Sequence, residues 1–144
     1  MPAIQTTYAQ NIARGRAGFV TNMTAADLIS RNVENVAGVA FGAPVAAGAT
    51  RKGCIPYAGT KFIGFAVRER SVNVGEQFSQ YETARILIKG PILVNASVAV
   101  ADRDPVYLTP AGLVTNVASG NFAVPGAVFD EPTTAAGLAS IYIK

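Results

Sequence analysis

From Val98 to Thr115 the chain reads as strand, tight corner, strand, four-residue turn and strand, with glycine and proline cutting every run short. Thr109-Pro110-Ala111-Gly112 suits a type I turn, because Pro110 pre-sets φ at the second position and Gly112 relieves the fourth. Between corner and turn, Val106 and Leu108 share one face while Tyr107 and Thr109 share the other, the period of a half-buried strand. Nothing in the segment offers a nucleophile, a general base or a metal cage.

The same punctuation recurs along the chain. Gly18-Phe19-Val20-Thr21 opens a first strand. Thr24-Ala25-Ala26-Asp27 has the look of a helix start, with Thr24 as N-cap, although Ser30 to Val33 reads equally well as strand. Val39-Ala40-Phe41 and Pro44-Val45-Ala46 form a pair joined across Gly42 and closed by Gly48. In Phe62 to Val67, alternation places Ile63, Phe65 and Val67 on one face. Arg85 to Lys89 and Ile92 to Asn95 are separated by Gly90-Pro91, and Pro91 cannot donate to a ladder, so this joint belongs at a sheet edge or a bulge. Pro125-Gly126 reads as a turn between Phe122-Ala123-Val124 and Ala127-Val128-Phe129. At the end, Ala139, Ile141 and Ile143 share a face.

Short strands with almost no helical period predict an all-β fold, a sandwich or a small β-barrel. At 144 residues one domain is expected. A domain of that size buries roughly 68–70% of its unfolded surface, so no disulfide is needed. None is available within the chain, because Cys54 is the only cysteine. It is expected to be a small buried apolar thiol. No linker divides the sequence, which resolves into an extended N-terminal arm, residues 1–17, and one β-rich body, residues 18–144.

Histidine is absent. That removes the commonest general base and the commonest metal ligand together, and with them the Ser–His–Asp, Cys–His and usual zinc arrangements. Asp102 and Asp104 flank Arg103, but the spacing lacks the further oxygen ligands of a calcium loop. They are expected to shape the corner by accepting hydrogen bonds from nearby amides. Gly15-Arg16-Ala17-Gly18 and Gly48-Ala49-Thr50-Arg51-Lys52-Gly53 look superficially like phosphate loops, yet neither completes the Gly-Lys-Ser/Thr signature. The second is expected to be an exposed hairpin tip. No catalytic, cofactor or metal residue is assigned.

Twelve basic residues against nine acidic give a net charge of +3. The cations are dispersed, whereas a nucleic-acid reader concentrates them and interleaves aromatics. The N-terminus lacks the basic start and apolar core of a signal peptide. The apolar stretch from Val36 to Ala49 is broken by glycine and proline and is too short to span a bilayer. A chain made in the cytoplasm and used without export, with neither nucleic acid nor membrane as partner, is the expectation.

What remains is interaction. Residues Met1 to Ala17 lack a core pattern, yet Ile4, Tyr8 and Ile12 are apolar and Arg14 and Arg16 follow. A purely solvating leader carries fewer apolar residues. An arm ordered by lying on a partner fits better, with Ile4 and Tyr8 filling pockets and main-chain bonds adding to a neighbouring sheet. The body must also manage its edge strands, and covering them with a partner is one way.

Pro2-Ala3-Ile4-Gln5-Thr6-Thr7-Tyr8, Gly38-Val39-Ala40-Phe41-Gly42 with Pro44-Val45, and Phe62-Ile63-Gly64-Phe65-Ala66-Val67-Arg68 occur in that order. Ile86-Leu87-Ile88-Lys89-Gly90, Ala101-Asp102-Arg103-Asp104-Pro105-Val106-Tyr107 and Pro125-Gly126-Ala127-Val128-Phe129 follow. Taken together the chain resembles tailed-bacteriophage capsid cement (decoration) proteins over nearly its whole length. Arg103 departs from that pattern, where a small residue, commonly glycine, precedes Asp-Pro-Val. The resemblance implies a β-rich body, a jelly-roll-like sandwich or small β-barrel, on the outer surface of an icosahedral virion. There it would join as a homodimer or homotrimer and clamp adjacent major capsid protein subunits, without enzymatic activity or cofactor. Expected contact residues are Ile4, Tyr8, Arg14, Arg16 and Phe19, with Arg51 and Lys52 in support. Two other readings are a small nucleic-acid-binding β-barrel, motivated by the excess of positive charge, and a virion fibre or receptor-binding module using Tyr57, Tyr81 and Tyr107.

Overall fold

The computed structural model describes residues 15–21, 24–69 and 76–144. Among these residues the chain forms eleven strands and no helix: β1 (Asp27–Val33), β2 (Val39–Ala40), β3 (Pro44–Ala47), β4 (Gly53–Pro56), β5 (Phe62–Ala66), β6 (Gln77–Phe78), β7 (Thr83–Ala96), β8 (Pro105–Leu108), β9 (Val114–Thr115), β10 (Phe122–Phe129) and β11 (Gly137–Ile143). The all-β expectation holds, and the pairings take its small-barrel form twice. One ring closes in the order β1-β4-β3-β5-β7 and back to β1; a second closes as β7-β11-β10-β8-β9 and back to β7. The two rings share β7. A separate ribbon pairs β2 with β6.

Closure changes how the edges are managed. A closed ring leaves no row of unpaired N–H and C=O groups. The strand edges expected to seek a partner are satisfied largely within the chain.

Two cores follow from two rings. The smaller gathers Val33, Val45, Cys54, Ala66 and Ile86, with Phe41 and Phe78 edge to face at 5.0 Å. The larger contains Ile92, Val94, Leu108, Phe129, Ala139 and Ile141. Phe65 and Leu87 sit on strands of the first ring but pack into the larger core, so the barrels meet through side chains as well as through β7. Tyr57 and Phe62 add an aromatic seam with Phe122 of β10, at centroid separations of 6.0 and 5.8 Å. Such pairs contribute about 0.5–1.5 kcal/mol each beyond their buried area.

Several local expectations are confirmed. Gly112 N–H donates to the Thr109 carbonyl at 2.9 Å, closing the predicted turn. Val106 and Leu108 are buried, as are Ala139, Ile141 and Ile143. The Asp104 carboxylate accepts from the Ala101 N–H at 2.9 Å and from Asn116 Nδ2 at 2.7 Å, as a corner-forming aspartate should. Asp102 does not share that task; its carboxylate lies 3.8 Å from Arg103 Nε. Arg103 itself has φ 69°. That is the left-handed region, where glycine is unstrained and a side chain with a Cβ is not.

Other expectations are corrected. The helix start at Thr24 does not form, because Leu28 faces the larger core and Ile29 the smaller, a period of two that selects strand. Gly18 to Thr21 is not a strand, although Gly18 and Phe19 bond to two chain segments at once. Val39-Ala40 and Pro44 to Ala46 are not partners: β2 pairs β6, whereas β3 pairs β4 and β5. The chain turns at Gly42 (φ 76°), where a Cβ would stand 2.8 Å from the Gly18 nitrogen. Ile63 does not share a face with Phe65. The β3–β5 register slips between Val45↔Gly64 and Ala46↔Phe62, a bulge that sends Ile63 to the smaller core. Val98 to Val100 forms no strand, only a bridge from Val100 to Thr133.

The two proline joints are also not breaks. Gly90-Pro91 lies inside the 14-residue β7, the most central strand of the fold. Leu93 directs both its backbone groups to Gly18 and Phe19, away from β11. Pro91, two residues earlier, faces the same way, so its missing N–H costs the β11 ladder nothing. Gly90 (φ 115°) supplies the bend at which β7 passes from one barrel to the other. Pro125-Gly126 is a bulge within β10, where Ala123 pairs with Tyr107 and Val128 with Pro105.

Candidate functional site

The best-organised surface feature is the point where the N-terminal segment reaches the body. Gly18 N–H donates to the Leu93 carbonyl at 2.8 Å, Leu93 N–H to the Phe19 carbonyl at 2.9 Å, and Arg68 N–H to the Gly18 carbonyl at 2.9 Å. The segment is thereby tied to β7 and to the continuation of β5. Gly18 is required here: a Cβ would fall 2.9 Å from the Arg68 nitrogen, and φ is 88°.

Arg68 is the centre of this latch. Its side chain is only 12% exposed and pairs with the Glu76 carboxylate. Its Nε donates to the Ala17 carbonyl at 3.1 Å. The guanidinium lies over the rings of Phe41 at 4.9 Å and Phe19 at 5.5 Å. Arg16 reaches the other oxygen of Glu76 at 2.9 Å. Two cations on one carboxylate hold Glu76 below its ordinary value, the hydrogen bond from Arg68 being the largest cause. An open cleft of about 490 Å³ runs alongside, lined by Arg16, Phe41, Arg68, Glu76 and Asn95.

The opposite end of the first barrel carries the β3–β4 hairpin. Glu34, just after β1, places its carboxylate against the tip, accepting from Ala49 N–H at 2.9 Å, Thr50 N–H at 2.7 Å and the Thr50 hydroxyl. The resemblance of this loop to an anion-binding loop is thus real but satisfied from within. Gly48 and Gly53 make room, since a Cβ at either would overlap the Glu34 carboxylate. These bonds depress the Glu34 pKa, the Thr50 hydroxyl first. A carboxylate lowered in the folded state stabilises at pH above its unfolded value and loses that contribution as pH falls through the folded one. Unfolding midpoints should therefore stay level above pH ~5 and drop below the usual carboxylate range near pH ~4. Glu34→Gln should flatten part of that acid slope in thermal melts taken from pH 7 to pH 3; an unchanged slope would remove Glu34 from the account.

Sequence reading placed contact residues in three regions. Ile4, Tyr8 and Arg14 lie outside the described residues. Arg16 and Phe19 come together at the latch, but Arg16 spends its charge on Glu76 and Phe19 lies under Arg68. Arg51 and Lys52 are exposed on the hairpin tip as expected, with Lys52 at φ 60°. They lie far from the latch: Gly42, which touches Gly18, precedes β3 and the tip follows it, a span of roughly 20 Å at ~3.3 Å per residue. Sequence reading missed Arg68 and Glu76. Arg68 sits 51 residues from the Ala17 carbonyl it meets, and nothing local distinguishes it from surface charge.

No metal-ligating cluster of three or more side chains occurs among the described residues. Burial pushes the Cys54 thiol up to about 11, so it is protonated at neutral pH. The ionisable groups that are engaged brace loops and the chain root. The fold is an all-β double barrel, two closed rings sharing β7. The model of the structural cement protein family (E217 gp24/Pam3 gp6) matches residues 4–144, and the chain belongs to that family. A chain from the capsid of Myoviridae Phage XM1 shares the fold, with a TM-score of 0.75 and 22% identity over 99% of this chain and 98% of that one. No curated protein matches the sequence. The protein is a capsid cement, a component of the phage virion located on the capsid.

Proposed function

We propose that this cement protein binds the outer capsid surface and clamps neighbouring major capsid subunits through its N-terminal arm, residues 1–17, with the body 18–144 as anchor. The fastening of Gly18 and Phe19 to Leu93 and Arg68 supports this reading best. A segment rooted in three backbone hydrogen bonds transmits load to both barrels, whereas a loosely hinged one would not. Ile4 and Tyr8 supply apolar contact at about 25 cal/mol per Å² buried. Arg14 pairs with acidic groups of the shell, and Phe19 borders the contact. Arg16 acts at the root, through Glu76. Many copies on one shell add avidity to a modest single contact. The role is non-enzymatic and needs no cofactor. The copies join as homodimers or homotrimers on the shell, with neither nucleic acid nor membrane as partner.

Deleting residues 2–14 should abolish binding to expanded capsids that lack the cement protein, measured by co-sedimentation. The truncated chain should keep the melting temperature of the full chain, since the latch is retained. Full-strength capsid binding by the truncated chain would end the proposal.

A further inference from the structure

The cleft beside the latch does not end at Asn95. A second pocket of about 170 Å³ continues it, sharing Ala40, Phe41 and Asn95 and reaching Pro44 and Leu113. One groove therefore runs from the chain root at Gly15 to the start of β9. Its charged groups sit at the root end, Arg16 and Arg68 against Glu76, an excess of one positive charge. Beyond Asn95 the walls carry no charged side chain. The groove also keeps a free main-chain donor. Leu93 turns its N–H and C=O to Phe19 and Gly18, and Ser97 N–H donates to the Val114 carbonyl at 2.8 Å. Asn95, midway between them, faces the same way by the period of two. Its carbonyl is taken by the parallel bridge Ala96↔Val114. Its N–H has no main-chain partner among the described residues and faces the groove.

The chain itself supplies the occupant. Gly15, Arg16 and Ala17 line the groove, so residues 1–14 leave from its mouth. A segment of that length reaches up to about 46 Å, enough to follow the groove to its far end. Residues 1–13 carry no charged side chain and include Ile4, Tyr8 and Ile12, which match the uncharged far walls. A segment tethered at the mouth faces its site at millimolar effective concentration, well above that of a separate protein in dilute solution. An acidic partner would find a single excess charge, on groups already paired with Glu76.

We infer that this groove docks the chain's own arm, residues 1–14, while the protein is off the capsid. The inference rests on the arm reading above and deepens it: the capsid draws the arm out of the groove, and until then Ile4, Tyr8 and Ile12 are kept from other surfaces. An arm docked about nine-tenths of the time lowers the apparent capsid affinity about tenfold.

The test uses the full-length chain. Ala40→Trp fills the groove from an exposed position common to both parts, and Leu113→Asp places a charge on its far wall. Both variants should melt with the natural chain, since neither side chain belongs to a core. Trypsin should cut after Arg14 about tenfold faster in either one, because cleavage follows the open fraction. Affinity for expanded capsids lacking cement protein should rise by a similar factor. In the natural chain, the Leu113 methyl resonances should shift when residues 2–14 are deleted. Unshifted methyls, with natural cleavage rates in both variants, would overturn the docking even where the 2–14 deletion still abolishes capsid binding. Shifted methyls with full capsid binding by the deleted chain would support the docking while ending the arm's capsid role. Lower capsid affinity in both variants would assign the groove to a capsid segment. Shifts that grow with protein concentration, alongside dimers in sedimentation velocity, would assign it to the arm of a second copy. Either of these last two results overturns the inference.

Discussion

Gly64→Ala should destabilise the protein by roughly 3 kcal/mol, at the upper end of overpacking costs. Gly64 lies in β5 where it crosses closest to β7. A Cβ there would stand 2.2 Å from the Leu87 carbonyl oxygen and 2.9 Å from Ile86 Cγ2. The nearest atom is backbone, which cannot rotate away as a side chain would. Relief requires β5 and β7 to separate, and their contact closes the first ring at Phe65↔Leu87 and Ala66↔Ile86. Domains of this size melt about 3–4 °C lower per kcal/mol lost, so a fall near 10 °C is expected. Gly120→Asn is the control. It too replaces a glycine, at φ 72°, but its Cβ meets nothing within 4 Å. Its cost should stay within about 1 kcal/mol. Near-ultraviolet circular dichroism during heating separates the two variants. Equal melting temperatures would show that close approach at Gly64 does not hold the ring.

Arg68→Ala should cost about 2–3 kcal/mol and free the chain root. The substitution removes a bond to the Ala17 carbonyl, the partner of Glu76 and the packing between two rings. Cation–π contacts contribute about 0.5–2 kcal/mol each according to burial, and a hydrogen bond about 1. Glu76 is 57% exposed, so the ion pair adds little beyond them. Arg68→Lys keeps the charge but not the planar fork, and should recover only part of the loss. Hydrogen exchange at the Gly18 amide reports the latch directly. It should accelerate in Arg68→Ala, together with a drop of about tenfold in capsid affinity as the arm loses its fixed exit. Natural-rate exchange at Gly18 in the variant would mean that the three backbone bonds suffice without the side chain.

Turn chemistry and strand period were both legible in the chain. Pro110 and Gly112 announced their turn, Ala139, Ile141 and Ile143 their buried face, and the missing histidine ruled out the commonest reaction centres. These features depend on residues one to four apart, the range over which backbone dihedrals and side-chain alternation operate. The motif order from the arm to Pro125-Gly126 also pointed to the correct family. The errors share a cause. Gly90-Pro91 and Pro125-Gly126 looked like ends of strands, but Gly90 bends a strand that continues and Gly126 bulges one. Ile63 was assigned to the face of Phe65 because a bulge opposite β3 is invisible in the alternation of β5.

Alone, then, the order of residues determined that this protein is all-β, the buried faces of β8 and β11, and where several turns fall. Only tertiary structure decided that β7 serves two barrels, that closure removes most edges, and that Arg68 holds the chain root. The physical reason is range: a ring closes on pairings between distant segments, and whether a proline ends a strand or rides in it depends on which way its nitrogen faces. That direction belongs to the neighbours, Gly18 and Phe19 on one side and β11 on the other, and not to the proline.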